Sequence, residues 1–113
     1  SSAGVIVGST WISSLSASYE STSTQVVDTY STSTYRTAKY LIQLLSGTST
    51  HVTEVVLFHD NFNVYKSEYG IIYNVSELGS FGANFNNGAI NLLFQPSTTS
   101  TINLTAMRSL ISN

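Results

Sequence analysis

An all-β fold is predicted, an antiparallel β-sandwich of jelly-roll or Ig-like type with a Ser/Thr-rich N-terminal arm. Three observations carry it. Apolar residues recur with period two and rarely at helical spacing. Beyond residue 35, at least six such runs follow one another, about 8–12 residues apart, the rhythm of a sandwich or barrel. Between them stand Asn-Gly, Pro and Ser/Thr clusters, the residues that turn a chain.

The first 34 residues differ from the rest. Val5-Ile6-Val7, Trp11-Ile12 and Gln25-Val26-Val27 read as strand pieces set among the tracts Ser21–Thr24 and Ser31–Thr34. They form either edge strands of the same sandwich or an arm lying on a neighbouring subunit. The chain therefore divides into residues 1–27, arm or edge strands, and residues 28–113, the sandwich. Val5, Ile6, Val7, Trp11 and Ile12 are the expected assembly residues, because apolar strand pieces at a sheet edge can pair with another chain.

From Arg36, Ala38, Tyr40, Ile42 and Leu44 alternate with more polar neighbours, which makes a strand with those four apolar residues inward. Ser46–Thr50 breaks it as a loop. The next strand runs from His51 to His59, read with Val56 and Phe58 on the core face and Thr53 and His59 opposite. Val64–Tyr73 follows, and Ser76–Ser80 turns. Phe81, Ala83 and Phe85 lead into Asn86-Asn87-Gly88, whose Asn-Gly pair favours a two-residue hairpin turn. Ile90, Leu92 and Phe94 return, and Pro96 ends that strand by removing a ladder donor. Ser97–Thr101 is a polar loop, and Ile102, Leu104 and Ala106 form the last strand. Thr105–Ile111 also fits a short helix.

Composition limits the partners. The 113 residues suit one domain, and a 42% hydrophobic content supplies a core. Charged residues are only 9%, against about a quarter in an average soluble domain. Ser and Thr fill the gap, 20 and 14 of them. A hydroxyl surface packs against copies of itself without desolvating ions. Arg36, Lys39, Lys66 and Arg108 are too few and too scattered for a nucleic-acid stripe. No apolar run approaches membrane-spanning length. Without cysteine there is no disulfide and no thiolate metal site. The chain starts at Ser1 rather than Met, which reads as processing or as a fragment of a longer protein.

The densest group of chemical side chains is His59-Asp60-Asn61-Phe62-Asn63-Val64-Tyr65-Lys66-Ser67-Glu68-Tyr69-Gly70. Nucleophilic catalysis needs a base beside a serine, and only His51 and His59 can serve. Eight residues apart on one strand, they share a face about 26 Å from each other. They are read as solvent-facing. In a hairpin turning at Asp60–Asn63, His59 opposes Val64 and Val55 opposes Glu68. Glu54 and Glu68 then diverge, which removes a glycosidase pair. Asp60, Asn61 and Asn63 offer oxygen ligands to calcium but lack the spaced second acid of a calcium loop. No catalytic, cofactor or metal residue is therefore assigned. In this register Phe58, Tyr65 and Tyr69 are read toward the core, and His59, Lys66 and Glu68 outward.

Tyr65 and Tyr73 are also candidate ligand-facing aromatics, suited to a host surface glycan or to an interface. Tyr35–Leu45, Val52–Asp60, Ser67–Tyr73, Leu78–Phe81 and Gly88–Pro96 ("YRTAKYLIQLL", "VTEVVLFHD", "SEYGIIY", "LGSF", "GAINLLFQP") come in an order that resembles a β-sandwich module of virion structural proteins from tailed phages of marine cyanobacteria and related marine bacteria. The resemblance covers about Asp28 to Ile111. It departs from that pattern at the bulkier Asn61-Phe62-Asn63 turn and at Asn91, where Arg is usual. It implies a non-enzymatic structural protein located in the virion, as capsid decoration, neck, tail or fibre. Its expected partners are copies of itself in a homo-oligomer and other virion proteins, with a receptor- or glycan-binding role at a fibre tip as the alternative.

Overall fold

Period-two alternation becomes strand along nearly the whole chain. The computed structural model describes residues 4–113. Among them run β1 (Gly4–Val7), β2 (Thr10–Tyr19), β3 (Gln25–Ser31), β4 (Tyr35–Ser46) and β5 (Ser49–His59). β6 (Val64–Tyr73), β7 (Gly79–Asn86), β8 (Ala89–Pro96) and β9 (Ile102–Ser112) complete the order. They form two sheets, a six-stranded one in the order β1-β2-β9-β4-β5-β6 and a three-stranded one in the order β3-β8-β7. Every pairing is antiparallel. The fold is an antiparallel β-sandwich.

The core lies between the sheets. Ala38, Tyr40, Ile42 and Leu44 of β4 face it, as their alternation requires, with Leu104 and Ala106 of β9 beside them. Ile90, Leu92 and Phe94 of β8 cover them from the small sheet. The β7–β8 hairpin turns through Asn87 and Gly88 with φ of 51° and 75°, the left-handed pair that an Asn-Gly turn needs.

Residues 4–27 are laid into the sheets. β2 is hydrogen-bonded to β9 along its whole length, from Thr10↔Ile111 to Tyr19↔Ile102. Trp11, Leu15 and Tyr19 pack from β2 against the core. Among the described residues β1 pairs only with β2 and forms one edge of the large sheet, β6 forming the other, while β3 is an edge of the small sheet. Residues 1–3 of the expected arm lie outside the described residues.

Of the two readings open for residues 105–111, the strand holds and the helix does not, because β9 is hydrogen-bonded to β2 on one side and to β4 on the other along this stretch. One reading is corrected. The facing of β5 and β6 is the reverse of the one read from sequence. The hairpin register is as expected, His59↔Val64 and Val55↔Glu68. However, Val55, Leu57, His51 and His59 are inside, whereas Phe58, Tyr65 and Tyr69 are on the outer face. The run Val55-Val56-Leu57-Phe58 is apolar at both parities, so hydrophobicity cannot choose its buried face.

Candidate functional site

Of the expected assembly residues, Val5, Ile6 and Val7 are 61%, 69% and 60% exposed, three of the four residues of edge strand β1. Register separates the five. Ile12 lies beside Val5 and points away from the core, whereas Trp11 lies beside Ile6 on the core side. Gly4 keeps this edge tight, since a Cβ there would fall 2.6 Å from the Trp11 ring. β1 carries no charge or proline and has no bulge, so that among the described residues its four-residue length is the one such device that limits pairing at this edge.

Tyr65 and Tyr73 do not converge. Tyr65 stacks on Phe58 on the outer face, ring centres 4.8 Å apart and planes 21° apart. Tyr73 pairs with His51 and meets its ring edge-on at 5.9 Å, on the core side. A bulge causes the change of face. Between Glu54↔Tyr69 and Val52↔Ile72, β6 contains one residue more than β5, and Gly70 takes φ +65° there. A lone Gly inside an alternating run was the signal in the sequence.

The polar group His59–Gly70 is structural. Asp60 Oδ1 accepts from the backbone N–H of Phe62 and Asn63, at 3.0 and 2.7 Å, and Oδ2 accepts from the Tyr65 hydroxyl at 3.1 Å. These bonds hold the Asp60 carboxyl below its ordinary range, backbone donors first. All three oxygen-bearing contacts build the turn. Among the described residues, no three His, Asp or Glu side chains gather closely enough to share a metal ion.

Both histidines are fully buried, which corrects the solvent-facing reading. Each replaces a missing backbone acceptor. His59 Nδ1 accepts from Asn61 N–H at 3.1 Å while its Nε2–H donates to the Tyr35 carbonyl at 2.7 Å. His51 Nδ1 accepts from Leu78 N–H at 3.0 Å, and its Nε2 has no partner. Burial pushes the His51 pKa below its ordinary value, against the opposing pull of Glu77 and Glu68. A lowered folded pKa means that His51 contributes stability in full above the unfolded value. That contribution falls as the pH drops from about 6.5 toward the folded value. Urea unfolding at about pH 8 and pH 5 is expected to show the loss, and His51→Gln to reduce it by up to one proton's worth of slope. An unchanged slope in the variant would refute this account.

Sequence reading missed the group that ties the sheets together. Between Val26↔Leu93 and Asp28↔Leu92, β3 bulges, which turns Asp28 inward. There Arg108 Nη1 donates to both Asp28 oxygens at 2.9 Å, and Tyr40 OH donates to Oδ2 at 2.7 Å. Arg108 Nε and Nη2 donate to Ser13 Oγ at 3.1 and 2.9 Å. Arg108↔Tyr40 and Ser13↔Arg108 are register partners, so one guanidinium spans β2, β9 and β4 and reaches β3 across the core. Burial first, and Asp28 second, push the Tyr40 phenol far up and the Tyr30 phenol to about 12. Both remain hydroxyl donors at ordinary pH.

No protein-family model and no curated protein matches this chain. Solved structures do. The tailspike protein of Acinetobacter baumannii phage AM24 is similar with TM-score 0.52 and 8% identity, over 92% of this chain and 26% of that one. Tailspike gp49 of Acinetobacter baumannii bacteriophage Fri1, a capsular polysaccharide depolymerase, is similar with TM-score 0.56 and 10% identity. That match covers 98% of this chain and 21% of gp49. The chain thus spans about a quarter and a fifth of the two tailspike chains. At these identities the likeness is one of fold, a sandwich similar to a part of two phage tailspike proteins.

Proposed function

We propose that this chain is a structural, non-enzymatic module of a phage virion, built into a tail or fibre component, where it assembles with copies of itself and with other virion proteins. The observation that carries the reading is the free β1 edge, three exposed apolar residues at the end of a six-stranded sheet. Strand addition at such an edge supplies backbone hydrogen bonds and buries apolar side chains. The likeness to tailspike sandwiches supports a place in the tail rather than in capsid decoration or the neck. The polar groups of the hairpin are engaged in turn and core contacts, which agrees with a structural role.

The test is immunogold microscopy of purified particles with the protein carrying Ile6→Lys. Wild-type protein is expected on the tail. The variant is expected to incorporate poorly while melting within a few degrees of wild type, since exposed substitutions usually change stability by less than about 0.5 kcal/mol. Particles without the wild-type protein would overturn the reading, as would full incorporation of the variant.

A host-glycan role at a fibre tip is the second reading, favoured by the exposed Phe58–Tyr65 stack and by Phe62, which is 81% exposed. Tyr73, 48% exposed, leans on His51 at the far end of β6, apart from that platform. Glycan-array binding lost on Tyr65→Ala would support this role, and an array without binding would end it.

A further inference from the structure

The six-stranded sheet is covered on one face only among the described residues, and its other face mixes hydroxyl rows on β2 and β9 with apolar side chains concentrated on β4, β5 and β6. On the uncovered face stand Leu41, Phe58, Met107 and Ile111, each 40–51% exposed although all lie on interior strands. Antiparallel strands covered on one side normally alternate apolar with polar, and β5 does not, with Val52, Val56 and Phe58 outward. A shallow groove of about 370 Å³ runs between Leu41, Met107 and Val52. The small sheet's outer face differs in kind. Its outward register rows are Ser80/Gln95, Gly82/Leu93/Val26 and Asn84/Asn91, amides and hydroxyls around one leucine and one valine.

The apolar face carries two charges. Lys39 and Glu54 are diagonal neighbours on β4 and β5, since Lys39 opposes Val56 and Leu41 opposes Glu54. Neither takes part in an ion pair, the one among the described residues being Arg108–Asp28. A single positive and a single negative charge, set side by side in an apolar field, are complementary to their own image. When a second such face is laid on the first about an axis in the contact plane, Lys39 of each copy meets Glu54 of the other. The dimensions also suit a copy. The five strands β2, β9, β4, β5 and β6, about 4.8 Å apart and each with four or five outward positions about 6.7 Å apart, span roughly 24 by 33 Å. That is roughly 800 Å², the area each partner contributes to a stable interface.

We infer that the outer face of the six-stranded sheet is the self-association surface of this chain, docking on the same face of another copy with Lys39 and Glu54 exchanged between copies. This rests on the self-assembly reading above but uses a different surface from the β1 edge. Desolvation of the apolar field supplies the attraction, and the two charges set the register.

The experiment is sedimentation of the purified chain, as wild type and as Lys39→Glu, Glu54→Lys and the double reversal. Wild type is expected to be oligomeric at about 100 μM, within the range of micromolar association. Each single reversal sets like charges against one another across the contact and is expected to weaken association roughly tenfold or more. The double reversal restores the complementarity and is expected to recover the wild-type mass. Circular dichroism melts of all four should coincide, which separates lost docking from lost folding. A monomeric wild type, single reversals with unchanged mass, or a double reversal that fails to recover would each overturn the inference. Association that survives the reversals but is lost in Ile6→Lys would also overturn it, while leaving the edge-strand reading intact.

Discussion

Asp28→Ala is expected to destabilise the sandwich by about 3–5 kcal/mol, the range for removing one partner of a buried ion pair. Asp28 accepts three hydrogen bonds, two from Arg108 and one from Tyr40. The two charged side chains are each 14% exposed, so water does not easily replace the lost carboxylate. Without it, the guanidinium keeps only Ser13 as an acceptor, and the fully buried Tyr40 hydroxyl has none. A domain of this size has about 5–15 kcal/mol in total, so the variant sits near the unfolding threshold. The urea midpoint should fall by about 2 M or more. Asp28→Leu combined with Arg108→Met and Tyr40→Phe should recover most of the loss, because well-packed apolar residues replace buried ion pairs at little cost and no buried hydroxyl is then left without an acceptor. If Asp28→Ala stays within about 1 kcal/mol of wild type, the pair is solvated and the sheets are held by packing alone.

How much of this was legible in the sequence depended on what fixes each feature. Alternation in Arg36–Leu45 located β4 and its buried residues, since its two faces differ in polarity. Asn87-Gly88 located a turn because its backbone geometry excludes most other residues. The β5–β6 register followed from the turn alone. Facing did not follow, because Val55-Val56-Leu57-Phe58 is apolar throughout and the inner positions His51, Thr53, His59 and Glu68 are polar. Their partners are distant in sequence. Thr53 Oγ1 donates to Glu68 Oε2 at 3.0 Å, His51 accepts from Leu78, and Lys66 Nζ donates to the Phe81 carbonyl at 2.9 Å. A polar residue at a buried position is recognisable only when those partners are known. The bulges at Val27 and Gly70 had the same effect, since one extra residue exchanges the faces of everything beyond it. The Asp28–Arg108 pair was hidden for that reason.

The unread facing is also informative about assembly. The outward positions Val52, Val56 and Phe58 of β5 are what the proposed face-to-face docking would bury. The sequence marks this as an ambiguity in β5, and the structure turns it into an exposed Phe58–Tyr65 stack diagonal to Lys39. The low charge of the whole chain is consistent with that proposal. Few ions on a surface leave few to desolvate when copies pack.

Phe94→Ala carries the second large effect, an expected loss of about 3–5 kcal/mol for deleting a buried aromatic ring. Phe94 is fully buried on β8, the central strand of the small sheet. It stacks on Phe81 with ring centres 4.8 Å apart and meets Tyr19 of the large sheet edge-on at 5.5 Å. Its ring also occupies the space over Gly79, where a Cβ would come within 2.3 Å of the ring and 2.5 Å of the Gln95 carbonyl oxygen. Gly79→Ala must therefore displace either the ring or the backbone of β8, and a tightly packed core gives way only at a cost. The two substitutions should be non-additive. With the ring gone, half of the obstruction at Gly79 is gone as well, so Gly79→Ala should cost less in the Phe94→Ala background than in wild type. Residues in contact commonly couple by about 0.5–3 kcal/mol, a difference that urea midpoints of the four proteins resolve. Strict additivity would mean that the Gln95 carbonyl alone excludes a side chain at Gly79. Coupling would show that the Phe94 ring, held by Phe81 and Tyr19, is what requires glycine where β7 begins.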